Sequence, residues 1–461
     1  MNVPLTIQEG RCVPIEQLLG SDPTSEAIER LRRRVAALGR QLRKDLGLRE
    51  DALTIKDVED GIVLETRGIA GTLRIGSFEV DIPPKHVVDE TVDWRGSLVT
   101  MLHRVVSRRA TYSGSNRLQL RHRTFLDQFA YGFAAELEAA LRNAPIQSYR
   151  SETQELTRVR GRLLIAEQFR VGLLKPHRLI CEVNEMNSEN DANRLLHWAG
   201  ARLAALTRDA SVRRFLERQL AKLPPVQGPI TRPPHLRIVV PRQFSYFESP
   251  VQLAMAFARG RATFPGASGV NGAGFVIGTE RLFESFIERS LKVALDKVAE
   301  ESWTVRSQVT EPFAFPIRKG GNRYFSRPDN IVDLDAASVL IIDAKYKKLG
   351  DSTTPGPGKR PTNADIYQMS AAIQAHGVRR ALLVYPALTG DSEVSGVWQI
   401  NWWSLGKSKS DPLVGAVKID LSTLNDPRNL STFDDQLATL VRNAAQTHTK
   451  PIEQESAATT N

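Results

Sequence analysis

Cysteine is nearly absent: Cys12 and Cys181 are the only two in 461 residues. Neither belongs to a Cys-x-x-Cys pair or a Cys/His cluster, so structural zinc is not expected and no disulfide framework is implied. Isolated thiols of this kind suit a reducing compartment, and a cytoplasmic location is expected. No run of about 18 apolar residues occurs, which leaves no candidate for a membrane-spanning helix. The opening MNVPLTIQEG lacks a basic segment followed by an apolar one, so no signal peptide is expected. The glycine-rich stretch from Gly266 to Gly274 lacks the Gly-Lys-Ser/Thr of a phosphate-binding loop and reads as a flexible entry to the C-terminal domain.

Hydrophobic residues make up 41 % of the chain and charged residues 25 %, an ordinary soluble balance. The length allows two or three domains with cores of their own. Lysine and arginine number 62 against 52 acidic residues, a net charge of +10, which favours a polyanionic partner such as nucleic acid. Residues 1–20 read as short strands. From Ser25 to Arg49, Ile28, Leu31, Val35, Leu38 and Leu42 recur at helical spacing, with Arg30, Arg32, Arg33, Arg34, Arg40, Arg43 and Lys44 around them. That helix either touches a nucleic-acid backbone or docks on its own domain with a solvated basic face. Gly61 to Lys85 alternates like a small antiparallel sheet or barrel, punctuated by Gly68, Gly71 and Gly76. Phe125, Phe129, Phe133, Leu137 and Leu141 form a stripe of helical period, better explained by core packing than by base stacking. The proline-rich Leu223 to His235 reads as a connector. Thr279 to Glu300 is the clearest long helix, with Leu282, Phe283, Phe286, Ile287, Leu291 and Leu295 on one side. The tail from Thr447 is polar and expected to be disordered.

The stretch most demanding of explanation is Arg327 to Lys347, RPDNIVDLDAASVLIIDAKYK. Ile331 to Leu334 and Val339 to Ile342 read as two buried strands, joined by a three-residue loop, Asp335–Ala336–Ala337. Alternation puts Ile341, Asp343, Lys345 and Lys347 on one face. If Leu334 pairs with Ser338, Asp329 lies opposite Asp343, with Cβ atoms about 5 Å apart. Two carboxylates at that separation repel unless a cation lies between them. Mg²⁺ suits such a pair, because it takes oxygen ligands, keeps several waters and commonly uses one or two carboxylates. Lys345 could orient an attacking water or stabilise developing negative charge. Arg323, Arg327, Lys347 and Lys348 flank the pair as candidate phosphate contacts. The order of elements from Thr279 onward, α-β-β-β-α-β, completes the pattern: a loop to Thr362, a helix capped by Asn363 and running through Ala375, stopped by Gly377, then a buried strand at Ala381–Tyr385. Further strands are expected at Val397–Trp403 and Val414–Leu421, and a helix near Phe433–Asn443.

Pro328-Asp329 followed by Asp343-Ala344-Lys345 resembles the signature of the PD-(D/E)XK nucleases, and Asp343-Ala344-Lys345-Tyr346-Lys347 is similar to the form in McrC, the nuclease subunit of McrBC modification-dependent restriction systems. Weaker likenesses lie in Phe78 to Lys85, in Tyr149 with Arg160-Gly161-Arg162, and in Asn184-Glu185 with Asn193 to Leu196. The resemblance implies an α/β multidomain chain: a β-rich N-terminal partner-docking domain (1–110), a helical middle region (111–265), a PD-(D/E)XK endonuclease domain with a mixed sheet flanked by helices (266–446), and a disordered tail (447–461). It implies metal ligation by Asp329, Asp343 and the carbonyl of Ala344, with Lys345 catalytic. Glu284 matches an acidic residue on the first core helix, with a solvated helix glutamate as the alternative. Gln368 matches a glutamine near the scissile phosphate in some relatives, although Ala372 stands where a tyrosine would follow. Arg160 and Arg162 are open between DNA, a partner and plain structure. The implied activity is Mg²⁺-dependent DNA cleavage beside a hexameric McrB-like AAA+ GTPase or ATPase whose hydrolysis the chain stimulates, in antiviral defence. The alternatives are a non-cleaving adaptor of such a motor and a stand-alone repair nuclease.

Overall fold

The computed structural model of the chain describes residues 5–20, 23–75, 78–86, 93–106, 124–171, 177–228, 238–263, 273–298, 301–318, 321–350, 360–387, 398–408 and 410–446. The expected features at Gly76, at 266–272, in the second half of the proline-rich connector, in much of the loop before Thr362 and in the tail from Thr447 lie outside these residues.

A six-stranded mixed sheet carries the hairpin. Its spatial order is Trp303–Ser307, Asn330–Leu334, Ala337–Ala344, Arg380–Pro386, Leu413–Ile419 and Ile400–Ser404. The first three strands are antiparallel, the next two join in parallel, and the last returns antiparallel. Alternation divides the buried residues between two faces. Ile331, Ile341, Ala381, Leu383, Tyr385, Val414 and Ala416 pack with Met369, Ala372 and Ile373 of the helix Asn363–His376. Val332, Leu340, Ile342, Leu382 and Val384 are buried toward the other face. Helices Thr279–Asp296 and Leu430–Gln446 cover that side, and Phe286 meets Phe433 with ring centroids 5.2 Å apart. The helix Asn363–His376 is capped by Thr362, one residue earlier than expected. Thr362 closes a reciprocal capping box with Asp365, and Gly377 ends the helix in the left-handed conformation at φ 65°.

Two compact units emerge: one of Met1–Val105, Arg109–Arg121 and Val276–Asn461, the other of Val106–Arg108 and His122–Phe275. The boundaries therefore differ from the expected 1–110, 111–265 and 266–446, because the first hundred residues fold with the C-terminal sheet rather than apart from it. Arg104, on the helix Trp94–Val106, donates to both carboxylate oxygens of Asp434 at 2.8 and 2.9 Å, and Lys297 reaches the same carboxylate at 2.9 Å. Thr279, opening the first core helix, donates its N–H to the carbonyl of Gly68. The β-rich N-terminal stretch divides between sheets: Gly61–Thr66 pairs with Cys12–Pro14 and Leu53–Val58, whereas Ile69–Ile75 pairs with Phe78–Ile82, itself parallel to Leu5–Thr6.

The arginine-rich helix runs Ser25–Leu46, with Leu31, Val35, Leu38 and Leu42 buried. Gly39, which periodicity alone marks only as a weak helical residue, is a close-approach point. A Cβ there would stand 2.5 Å from the carbonyl oxygen of Leu53.

The second unit is less purely helical than expected. It holds a three-stranded antiparallel sheet of Ser148–Leu156, Leu179–Asn187 and Arg162–Leu163. Arg160 pairs with Glu185 at 2.7 Å, with both side chains well exposed. The aromatic stripe is core: Phe125, Phe129 and Phe133 are fully buried on the helix Phe125–Ala140, and Phe129 lies 4.5 Å from Phe275 between centroids.

Candidate active site

The hairpin reaches the expected register by another route. Asp335 and Ala336 alone form the turn, both with positive φ (48° and 66°), and Leu334 pairs with Ala337. Two left-handed residues in a two-residue loop match the twist of the strands it joins. A register shift between Val332 and Asp333 then absorbs one extra residue, and from there Val332 faces Leu340, Ile331 faces Ile341 and Asn330 faces Ile342. One further step sets Asp329 opposite Asp343 on the face shared with Ile331 and Ile341.

Asp329 Oδ2 accepts the N–H of Ala344 at 2.9 Å, and its Oδ1 accepts from the Gln308 side chain at 3.0 Å. Gln308 has no counterpart among the residues expected at the site. It holds φ 55° and donates its own N–H to the Asp329 carbonyl at 3.0 Å, so a strained backbone position is pinned directly to the acid. Burial, then the charge of Asp343, pushes the Asp329 carboxyl up to about 6. Asp343 is almost fully buried. Lys345 Nζ lies 2.6 Å from Asp343 Oδ2 and donates to Gln368 Oε1 at 2.8 Å, while the Gln368 amide lies 3.4 Å from Asp343 Oδ1. Gln368 thus spans lysine and acid from the helix Asn363–His376. The lysine's own N–H is fixed by the Val384 carbonyl at 2.8 Å.

Glu284 is half-buried on the first core helix and senses the pair. Burial raises its pKa to about 7, helped by Asp329, Glu280 and Asp343. Lys347 departs from its expected role as a phosphate contact. It pairs with Asp365 at 2.7 Å, and Asp365 also caps its helix and accepts from the Tyr385 hydroxyl at 3.1 Å. Lys348, Arg323 and Arg327 remain exposed around the site.

Behind Lys345 lies a buried polar cluster that no sequence signal marked. Tyr346 donates to Glu9 Oε2 at 2.8 Å, and the His86 ring stands 3.3 Å from its hydroxyl. Thr279 reaches Glu9 Oε1 at 2.5 Å, the Lys85 N–H reaches Oε2 at 3.1 Å, and Lys85 Nζ sits 4.3 Å from the Tyr346 ring centroid. Burial pushes Glu9 up and holds His86 down near 3, which keeps the imidazole neutral. This cluster joins an N-terminal loop to the residue directly after the candidate lysine.

The donor set suits Mg²⁺. Asp343 Oδ2 is buried and makes no aligned hydrogen bond, with the Lys345 ammonium 2.6 Å away as its counter-charge. Asp329 is a burial-strained carboxylate whose neighbour repels it. A divalent cation between the two acids would ease that repulsion, and two carboxylates with a carbonyl and waters would meet the preference of Mg²⁺. Among the described residues no group of three or more His, Cys, Asp or Glu side chains is arranged to hold a metal, so Glu284 does not complete a side-chain triad with the aspartates.

Comparison with known proteins converges on one family. The model described as McrBC 5-methylcytosine restriction system component matches residues 64–386, a span that contains every candidate site residue. The chain belongs to that family. Its fold is similar to a chain of the refined half-complex from the tetradecameric assembly of Thermococcus gammatolerans McrB AAA+ hexamers with bound McrC, at TM-score 0.58 and 16 % identity, covering 94 % of this chain and all of the other. A second chain, in the cryo-EM structure of the Thermococcus gammatolerans McrBC complex, aligns at TM-score 0.44 and 21 % identity over 65 % of this chain and 90 % of that one. No curated protein sequence matches. Among the described residues no helix is long and apolar enough to cross a membrane.

Proposed function

We propose that this chain is the McrC-like nuclease subunit of a McrBC-type restriction complex, with a PD-(D/E)XK core that hydrolyses DNA phosphodiester bonds using Mg²⁺. The observation that carries this reading is the meeting of Asp329, Asp343 and Lys345 at the open end of one hairpin, where burial and the charge of Asp343 push the Asp329 carboxyl up. The partner is an McrB-like AAA+ hexamer. That choice is supported by the family and by the likeness to a chain from an assembly of McrB hexamers with bound McrC.

Asp329, Asp343 and the Ala344 carbonyl would hold the metal. Bound Mg²⁺ supplies a Lewis acid for phosphoryl oxygens and lowers the pKa of a coordinated water. The protein's part is positional. Gln308 and the Ala344 N–H fix the Asp329 carboxylate, and Gln368 holds the Lys345 ammonium beside Asp343. Lys345 faces the space next to the acids, where it can orient a water and balance negative charge growing on the phosphate. In the reaction the water oxygen bonds to phosphorus, the bond from phosphorus to a sugar oxygen breaks, and that oxygen takes up a proton.

Asp343→Ala is the test. With partner, NTP and Mg²⁺ present, DNA cleavage should vanish while binding to the hexamer and stimulation of its hydrolysis persist. Cleavage at the wild-type rate would remove the site assignment, and a wild-type chain that stimulates hydrolysis without cutting would make it an adaptor.

A further inference from the structure

Between Ser307 and Pro328 the chain leaves the main sheet and forms a two-stranded ribbon, Glu311–Ala314 with Tyr324–Ser326. The ribbon leans on the helix Asn363–His376, which carries Gln368. Ser326 is buried, but the tip is not. Phe315 is 63 % exposed, Ile317 fully exposed, Tyr324 69 % and Phe325 57 %, and Tyr367 on the adjoining helix is 71 % exposed. Apart from Val58, these five are all the exposed large apolar side chains among the described residues of this unit, so the exposure is concentrated rather than scattered. The described ribbon residues from Glu311 to Arg327 carry Arg318, Arg323 and Arg327 against one acid, Glu311 at its first position. Arg318, Arg323 and Arg327 are exposed, and the Arg323 guanidinium lies 5.4 Å from the Phe315 ring centroid.

Exposed rings interleaved with three arginines fit a partner that offers both negative charge and flat apolar faces. Nucleic acid offers both: phosphates for the guanidiniums, and bases or sugars for the rings. The position adds to the argument. The return strand ends at Ser326, three residues before Asp329, which is about 10 Å of extended chain. Whatever the ribbon grips is delivered to the acids.

We infer that the ribbon strands Glu311–Ala314 and Tyr324–Ser326, with Phe315, Ile317, Arg318, Arg323 and Tyr367, form a DNA-gripping arm that seats the duplex beside Asp329 and Asp343, its aromatic side chains pressed into a groove or a base step and its arginines on the flanking phosphates. This rests on the nuclease reading, and its test reads binding rather than cleavage, so the two can fail separately.

The test uses the full chain in EDTA with a fluorescent DNA duplex of about 25 base pairs and measures anisotropy across a salt series. Phe315→Ala with Tyr324→Ala should weaken binding about tenfold with little change in salt slope, because stacking surface is lost and charge is kept. Arg318→Ala with Arg323→Ala should weaken it similarly and lower the salt slope by about one to two, roughly one for each phosphate no longer neutralised. All four positions are exposed, so thermal melting should match wild type. Arg318→Lys with Arg323→Lys should restore most of the slope, which separates charge loss from misfolding. Affinities within twofold of wild type for both alanine pairs would overturn the inference. So would alanine pairs that bind DNA normally but lose the AAA+ hexamer, since the arm would then be a protein-docking element. Loss of DNA binding here, together with retained cleavage in Asp343→Ala, would leave the arm standing and the catalytic assignment fallen.

Discussion

One hairpin arm carries an aspartate near each end, Asp333 buried and Asp329 half-buried, and treats the two oppositely. Near the turn, Asp333 accepts from Arg306 at 2.7 and 2.9 Å and from Ser338 at 2.7 Å, with Thr304 at 3.5 Å. The hydrogen bonds from Arg306 hold its carboxyl below the usual range, aided by Ser338. At the open end, Asp329 has an amide and a backbone N–H, and burial and Asp343 push it up to about 6. The same residue type on the same arm of the hairpin thus serves as an internal ion-pair partner at one end and as an unbalanced acid at the other. Asp365 follows the pattern of Asp333: it is buried, yet Lys347 and Thr362 bring its pKa down. An acid balanced from within holds the fold, whereas one left unbalanced awaits an external cation.

The largest test of that contrast exchanges charge for shape at each end. Asp329→Asn should lower cleavage by roughly a thousandfold or more, as expected for loss of a group acting in the reacting centre. Asp333→Asn should leave cleavage within a few-fold. Stability should run the other way in EDTA at pH 8. Asp333→Ala should cost about 1–2 kcal/mol in urea unfolding, allowing for the partial exposure of Arg306. Asp329→Asn should be neutral or slightly stabilising, because it removes an uncompensated charge. Equal stability losses at both ends would erase the distinction.

How far this could be read from sequence depends on how local each cause is. The strands, the shared face of Ile341 and Asp343, and the long core helix declare themselves through alternation and period over a few residues. The facing of Asp329 and Asp343 was legible, but the expected three-residue loop was not the one formed. Asp335-Ala336 lacks the Asn-Gly signal of a left-handed turn, and the bulge that repairs the register has no sequence mark. Gln308, Glu9 and the pairing of Lys347 with Asp365 stayed hidden, since each depends on side chains that meet across distant parts of the chain. The union of the first hundred residues with the C-terminal sheet was hidden for the same reason. Composition, with its net charge of +10, could not say that the helix Ser25–Leu46 turns its apolar face to its own domain.

A smaller effect separates the two ends by pH in the metal-free protein. A carboxyl whose folded pKa is raised binds its proton more tightly when folded, so it contributes stability below the unfolded value that is lost as pH rises through the folded one. For Asp329 that window runs from the ordinary carboxylate range, near 4, to about 6. Asp333, with a lowered pKa, contributes stability above the ordinary range that is lost as pH falls through its folded value. In EDTA, therefore, any advantage of Asp329→Asn over wild type at pH 8 should shrink by pH 5. The deficit of Asp333→Asn should hold from pH 8 to 5 and shrink only below about 4. Urea midpoints at four pH values decide it, and parallel curves for the two variants would count against opposite treatment of the two acids.

The smallest effect belongs to the turn itself. Ala336 sits at φ 66°, where a Cβ crowds the backbone and glycine does not. Ala336→Gly relieves that strain but gives the unfolded chain more freedom to lose, so the net gain should be only about 0.5–1 kcal/mol. The turn lies at the balanced end, beyond Asp333, and its chemistry is confined to holding the strands in register. Cleavage should therefore stay at the wild-type level while the urea midpoint rises. A variant that gained stability but lost cleavage would mean that strain at the turn is transmitted along the bulged strand to Asp329. The two ends of the hairpin would then be one mechanical device rather than a structural end and a chemical one.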